Sequence, residues 1–313
     1  VADRSDIYIG LTGAGKLGTL NASNTASNAK IEVLGDGDIS VDGAISAQSL
    51  IRIETTGGAI INGGGSVTSP ELLALATAGV GTGGGLSTSV DTFAAAAGTG
   101  GVGLANDKAL VIGTVDGTSG VTGDGSVSIA TSSPLTVSQN VTSGNAIDLV
   151  AGNSNSAGDD LTVQDGVQVQ GTAAVSLTAG DHVSLAANSA VSGTAITIIA
   201  DNAGDGAADG VTGGVTAAGT ITGSSVDITG GNLVHSGSIV STGPVRITTI
   251  STGTSAVDGI QLADIQAAGQ TVTISATGTV TAAITDANAG DRNILASDLA
   301  LTGTAGVGTA ADP

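Results

Sequence analysis

The chain has 313 residues, contains no cysteine and carries a formal net charge of −20, from 27 acidic and seven basic residues. These numbers exclude a disulfide framework, a thiolate metal site and the basic patch that binds nucleic acids or anionic membranes. One tyrosine and one phenylalanine leave the core to aliphatic side chains. We expect no nucleic-acid partner and no membrane insertion, since no apolar run reaches the roughly 20 residues of a membrane-spanning helix.

Short segments of alternating apolar and polar residues recur along the chain. Alternation of this kind is the period of a half-buried strand, and Gly, Asn, Asp, Ser and Thr between the segments favour tight turns. The predicted strands are residues 7–9, 31–33, 39–41, 51–53, 127–129, 147–149, 161–163, 167–169, 175–177, 183–185, 196–198, 226–228, 245–247 and 272–274.

The spacing of these segments predicts an all-β fold, a parallel β-helix or β-solenoid. Three short strands with their turns fill about 20 residues, which is one coil of such a fold. Stacked coils pair equivalent strands about 4.8 Å apart, so about fifteen coils would form a rod. We expect one domain over residues 1–313, as a segment or subunit of a longer fibre. A β-sandwich is the alternative, but it needs longer strands and larger core side chains.

Residues 64–110 follow the pattern less closely. Ser69, Pro70 and Gly79 could delimit a helix, and residues 90–98 could form a second one. We predict instead a strand over residues 73–76, with Leu73 and Leu75 facing inward. Near residues 79–104 we predict a protruding irregular loop, within which residues 86–98 could hold a short helix.

The phrases "AGVGT", "GGVGLAND", "ALVIGTVDG" and "VSLTAGDHVSLAA" carry a family likeness. With them, residues 73–152 resemble large bacterial adhesins of the filamentous-haemagglutinin type, and residues 30–285 share the style of their repeats. The resemblance implies a right-handed parallel β-helix, export to the cell surface, and a role in adhesion, biofilm or filament formation. An amino-terminal secretion domain and an Arg-Gly-Asp triplet do not occur in this sequence, so secretion route and receptor are not carried over.

The segment "GLTGAGKL", residues 10–17, matches the G-x-x-x-x-G-K pattern of a phosphate-binding loop after a strand. Such a loop also needs a Ser or Thr after the lysine and a helix that begins there. Leu17 takes the hydroxyl position, and Gly18 and Asn21 start a helix poorly. We therefore interpret the segment as a turn between strands.

Two histidines, His182 and His235, are the candidates for a general base. No G-x-S-x-G nucleophile motif accompanies them, and we expect both to be exposed or in turns. Polysaccharide-cleaving β-helices need basic residues and aromatic platforms, which are nearly missing here. We therefore predict no catalytic residues and no enzyme.

Calcium is the most plausible ligand, because oxygen-rich turns suit a hard cation. The nonapeptide calcium repeat does not occur in full, and aspartates also favour turns by bonding the local backbone. We predict that no cofactor is required and keep calcium as a candidate. The candidate ligands are Asp36 and Asp38; Asp159, Asp160 and Asp165; Asp201, Asp205 and Asp209; and Asp286 and Asp291.

Together these features predict a secreted, non-catalytic structural or adhesive fibre protein at the bacterial cell surface. Solenoid ends expose unpaired strand edges, so residues 1–20 and 292–313 are expected to self-associate, end to end or laterally, or to meet flanking repeats of the same chain. One alternative is a stalk segment of a giant adhesin that contacts a host or neighbouring cell through residues 79–104. A polysaccharide-degrading enzyme is the more distant alternative.

Overall fold

The computed structural model describes residues 6–22, 28–132, 134–152, 157–201, 213–251, 259–278, 282–288 and 291–308. These residues form an all-β parallel β-solenoid of about 12 turns, with about 23 residues per turn and no helix. No segment of this described part is therefore a helix that could span a membrane. The expected fold class is confirmed, but the turns are fewer and longer than expected because some connections are long. One such connection separates Ala22 from Ile31.

The chain divides into two compact units, Val1–Leu149 and Val150–Pro313. A single domain over the whole chain stays a prediction. The strands of the first unit are β1 (Ile7–Leu11), β2 (Gly15–Leu17), β3 (Leu20–Ala22), β4 (Ile31–Gly35), β5 (Ile39–Val41), β6 (Ala44–Ala47), β7 (Leu50–Thr55), β8 (Ile60–Asn62), β9 (Ser66–Ala76), β10 (Gly79–Thr82), β11 (Leu86–Ala97), β12 (Gly101–Asn106), β13 (Leu110–Ile112), β14 (Thr114–Val115), β15 (Thr118–Ser119), β16 (Val121–Gly123), β17 (Val127–Thr131), β18 (Leu135–Val137) and β19 (Val141–Ser143).

The unit boundary falls within β20 (Ile147–Ala151). The strands of the second unit are β21 (Leu161–Val163), β22 (Gln168–Gly171), β23 (Val175–Ala179), β24 (Val183–Leu185), β25 (Ala190–Ser192), β26 (Ala195–Ile199), β27 (Gly214–Ala217), β28 (Thr220–Gly223), β29 (Ser225–Gly230), β30 (Asn232–His235), β31 (Ser238–Ser241), β32 (Val245–Ser251), β33 (Gly259–Leu262), β34 (Asp264–Gln266), β35 (Thr271–Gly278), β36 (Ala283–Asp286), β37 (Ile294–Leu295), β38 (Asp298–Gly303) and β39 (Gly306–Val307).

Parallel pairing in the first unit stacks equivalent residues into columns. Because side chains alternate along a strand, every second residue faces the narrow interior, where the column meets its neighbours. Every member of one such column except the first is fully buried, and one member, Phe93, is the only phenylalanine of the chain. In order, this column contains Ile7, Ile31, Ile51, Leu72, Phe93 and Ile112.

Several regular interior columns run through the second unit with one residue per turn, including the following three. The first contains Val175, Ile196, Val226, Val245, Val272 and Leu299. The second contains Val183, Val215, Leu233, Ile260, Ile284 and Val307. The third contains Val169, Val191, Ile221, Ile239, Ile265 and Ile294.

The prediction for residues 79–104 was wrong, because the structure places strands β10, β11 and β12 there instead of a protruding loop or a helix. Phe93 and Ala94 are fully buried. The run of alanines that favours a helix locally is paired on both sides, with β9 and with β16, and this pairing outweighs local propensity. Residues 79–104 therefore form no protruding loop that could serve as the contact surface of an adhesin.

The strand predicted at residues 73–76 is confirmed within β9, but its orientation is reversed. Leu72 and not Leu73 continues the interior column, since it pairs with Ile51. Leu73 pairs with Arg52 on the outer face. It is nevertheless fully buried, so another element must cover the outer face at this point.

That covering element is a two-stranded antiparallel hairpin formed by β14 and β15, here called the 114–119 hairpin. Its turn residues Asp116 and Gly117 both have positive φ angles, of 47° and 82°, as a tight hairpin turn requires. Val115 is buried in a cluster with Leu73 and Ala94, which Leu50 and Leu75 extend. The hairpin thus shields an apolar patch on the outside of the solenoid.

Strand β11 also marks a rearrangement of the turn. It pairs with β9 along most of its length, but its successive parts pair onward with three different strands, β12, β13 and β16. Strand β9 likewise pairs backward with both β6 and β7. At β9 and β11, one long strand therefore pairs with two or three strands of the adjacent turn, whereas in the second unit each strand pairs with one equivalent strand of an adjacent turn.

Candidate functional site

The last turn of the second unit, formed by β37, β38 and β39, has a free edge. Each of its strands pairs with the equivalent strand of the preceding turn, β34, β35 and β36. On the other side, no strand among the described residues pairs with it. Unpaired N–H and C=O groups along a strand are a template for another strand.

The interior residues of this turn are uncovered as well. Leu299 and Val307 continue the columns of Val272 and Ile284. Val272 is fully buried and Ile284 is 3% exposed, whereas Leu299 and Val307 are each 50% exposed. The last turn therefore presents an apolar surface of the kind that marks an interaction site.

A shallow cleft of about 300 Å³ lies beside this surface, with Ile294, Leu301 and Val307 in its lining. Asp286 and Asp291, predicted as calcium ligands, also line it. The Asp286 Oδ1 atom accepts hydrogen bonds from the backbone N of Asn288 (2.8 Å) and from Nδ2 of Asn293 (3.0 Å). The cleft is thus apolar with a polar rim that local hydrogen bonds hold in place.

The first turn of the first unit is likewise paired with a neighbouring turn on one side only, among the described residues. Strands β1, β2 and β3 pair with β4, β5 and β6, and no second partner occurs for them in the described ranges. Ile7 and Ile9 are half-buried, whereas their column neighbours Ile31 and Val33 are buried. The first turn therefore also offers part of its interior face.

The phosphate-loop pattern at residues 10–17 is a turn between strands, as the sequence predicted. Strand β1 ends at Leu11 and β2 begins at Gly15, with no helix after it. The backbone N of Gly13 donates to Asp36, and Lys16 Nζ pairs with Asp42 Oδ2 at 2.7 Å. The lysine beside it, and then Ser40, hold the pKa of the Asp42 carboxyl below its usual range.

The first pair of predicted calcium ligands, Asp36 and Asp38, joins successive turns instead of converging on one point. Asp36 accepts from Gly13 one turn earlier, and the Asp38 Oδ1 atom accepts from the backbone N of Ala59 one turn later, at 2.9 Å. No group of three or more His, Cys, Asp or Glu side chains within the described ranges could hold a metal ion. Calcium binding stays a prediction.

The described members of the next two groups of predicted ligands lie at two corners of the second unit and are spread over successive turns, with Asp159 and Asp160 before β21 and Asp165 after it. The backbone N of Asp181 donates to the carbonyl of Asp159 (3.0 Å), and that of Asp201 donates to the carbonyl of Asp181 (2.9 Å). The Asp165 Oδ1 atom accepts from Nδ2 of Asn188 at 3.0 Å. Asp205 and Asp209 lie outside the described residues.

His182 lies at the same corner as Asp159 and Asp160 and is half-exposed, as predicted. Its Nδ1 atom lies 3.1 Å from Asp160 Oδ1. This hydrogen bond is the main reason why the pKa of His182 is raised and the pKa of Asp160 is lowered. The pair is a small charged surface feature.

His235, by contrast, corrects the sequence analysis, which expected an exposed or turn histidine. It is the last residue of β30 and is fully buried. The alternation within β30 points Leu233 inward, Val234 outward and His235 inward, and this signal was available in the sequence. Burial lowers the pKa of His235 to about 4.

Comparisons with protein-family models, with curated proteins and with solved structures gave no match to this chain. The likeness to filamentous-haemagglutinin-type adhesins therefore rests on the sequence phrases alone. The β-solenoid itself is supported by the structure.

Proposed function

We propose that the chain is a secreted, non-catalytic structural segment of a fibre at the bacterial cell surface. The fibre grows when a first turn, from a second copy or from flanking repeats of the same chain, stacks on the last turn. The acidic, cysteine-free composition and the adhesin-like phrases support this location. The proposal assigns no reaction and no required cofactor to the chain.

The observation that carries the proposal is the uncovered last turn. No strand among the described residues pairs with its outer edge, and two of its interior residues, Leu299 and Val307, are half exposed to solvent. Exposed edges and apolar surfaces are normally covered in soluble β-proteins, by a cap or by a partner. A stacked turn would bury both features at once.

The spacing of the interior residues supports a second copy as the partner. In the last turn, Leu301 and Val307 stand six positions apart and continue the columns of Ile274 and Ile284. In the first turn, Ile9 and Gly15 have the same spacing and lie beneath Val33 and Ile39. Strand β38 of one copy can thus stack on β1 of the next, and β39 on β2. Such head-to-tail contacts generate filaments unless they close into a ring.

Sedimentation velocity over a range of protein concentrations, with electron microscopy of the same samples, tests this proposal. We expect the native chain to form long particles at neutral pH. Leu299→Asp should abolish assembly, because it places a charge in the stacked interior. Ala300→Asp is the matched control, since Ala300 neighbours Leu299 on β38 but faces outward beside Thr273.

Two results would contradict the proposal. One is a native chain that remains a dispersed monomer at high concentration. The other is a Leu299→Asp variant that assembles as well as Ala300→Asp. The samples are also imaged with calcium and after chelation, and loss of fibres on chelation would show that the assembly needs a metal ion.

A further inference from the structure

A titratable side chain, that of His235, lies inside the apolar interior of the second unit. His235 is fully buried and occupies a column with Leu185 and Ala217, which precede it by two turns and by one turn. Its strand neighbour Leu233 is equally buried, and pairs with Ile260 on β33. A side chain that can gain a proton therefore lies in a column in which the two preceding residues are aliphatic.

Among the described residues the ring makes one hydrogen bond, and this bond determines its neutral form. The backbone N–H of Ala263 donates to Nδ1 of His235 at 3.4 Å. Since Nδ1 accepts, the proton of the neutral ring sits on Nε2. Nε2 is buried and has no hydrogen-bond partner in the described part of the chain.

We propose that protonation of His235 opens the second unit locally at the β30–β33 pairing, so that this histidine makes the solenoid sensitive to mild acid. A proton on Nδ1 would face the donor N–H of Ala263, and the hydrogen bond between them would be lost. The ring would then carry a buried charge with two donors and no acceptor, a state that strongly favours exposure to water.

The surrounding charges do not rescue the protonated ring. Asp264 is the charged group that acts on it, and it raises the pKa of His235, but burial is the larger cause and lowers that pKa to about 4. The Asp264 carboxylate is engaged elsewhere, since its Oδ2 atom accepts from Nε2 of Gln266 (2.6 Å) and from Oγ of Ser238 (3.4 Å).

The direction of the pH effect follows from linkage. An opened histidine titrates near pH 6.5, whereas the closed one titrates near 4, so protons bind preferentially to the open state between these values. The closed state is therefore unaffected above about pH 6.5 and weakens as the pH falls toward 4. Between pH 7 and pH 4.5, the equilibrium constant for opening should rise on the order of 50-fold.

Hydrogen exchange measured by mass spectrometry on the full chain tests the proposal. Peptides that cover residues 232–235 and 259–263 are followed at pH 7 and pH 4.5, with rates corrected for the intrinsic pH dependence of exchange. We expect protection in these peptides to fall on the order of 50-fold in the native chain. In His235→Leu, which restores the residue type of Leu185 in the same column, protection should not change with pH.

His182→Gln is the matched control, because His182 is the only other histidine and is half-exposed. It should keep the acid-induced loss of protection at residues 232–235. The proposal is overturned if the native chain shows no loss, or if His235→Leu shows the same loss as the native chain. Should His235→Leu fold poorly, NMR titration of the two histidine rings decides, since a ring of His235 that titrates near pH 6.5 would overturn the proposal.

Discussion

The rearranged region around β11 and the regular columns of the second unit fill the solenoid interior with different side chains. In the regular columns, an interior residue usually has an aliphatic residue of similar size before and after it, as Val191 has Val169 and Ile221. Around β11, the interior contains Phe93, and a buried amide, Asn106, holds the neighbouring backbone. The outer face is covered by the 114–119 hairpin.

The difference shows where a repetitive fold is sensitive to change. A regular turn has neighbours much like itself, so one substitution changes one step of a repeated pattern. The rearranged region depends on Phe93, the only phenylalanine of the chain, and on the buried amide of Asn106. We therefore expect larger losses of stability from changes near β11 than from equal changes in the regular columns.

The largest loss is expected for Phe93→Ala, because it removes the largest side chain of the interior column, between Leu72 and Ile112. The free energy of unfolding should fall by about 3–5 kcal/mol. Val191→Ala, in a regular column, should lower it by about 2 kcal/mol. Chemical denaturation followed by circular dichroism measures both.

Phe93→Leu serves as the control for size, since it restores an aliphatic residue to the column and should cost less than about 1.5 kcal/mol. Equal losses for Phe93→Ala and Val191→Ala would contradict the comparison, because the phenylalanine would then be no more important than any regular position.

An intermediate loss is expected for Asn106→Leu. The Asn106 Oδ1 atom accepts from the backbone N of Val90 and from Oγ1 of Thr88, both at 2.9 Å, and its Nδ2 donates to the carbonyl of Lys108 at 2.8 Å. A leucine would remove these hydrogen bonds at a buried position, at a cost of about 2–3 kcal/mol. Thermal and chemical unfolding measure the loss.

Asn21→Ala, on the exposed side of β3, is the matched control and should change stability by less than about 0.5 kcal/mol. A tolerated Asn106→Leu would mean that water reaches the backbone around β11 and that the region is not held by this amide.

The regular part of the fold was predictable because alternation alone determines it. Segments such as residues 226–228 and 245–247 form strands with their apolar residues inward, and the two strands pair in register. The same alternation also places His235 inward, and the error there was to treat a histidine as polar by default.

The rearranged region was not predictable in the same way, because its local sequence and its strand pairing favour different structures. The alanine run after Phe93 favours a helix locally, and only its pairing with β9 and β16 makes it a strand. The Asp-Gly pair at the tip of the 114–119 hairpin was a usable turn signal. The hairpin lies over Leu73 only because the two turns between them contain the right number of residues. The alternation of apolar and polar residues does not determine that number.

The smallest effect is expected for Asp116→Asn, which removes the ion pair between the hairpin and the solenoid while keeping a residue that tolerates a positive φ angle. Arg52 Nη1 and Asp116 Oδ2 are 2.7 Å apart, and Arg52 also pairs with Glu54, so the loss should be about 0.5 kcal/mol. Because both side chains are partly exposed, the difference from the native chain should disappear near 1 M salt, where charges are screened within about 3 Å. Denaturation at low and high salt measures this. A loss that persists in high salt would show that Asp116 acts through the shape of the turn, and Val115 alone would then hold the hairpin against Leu73.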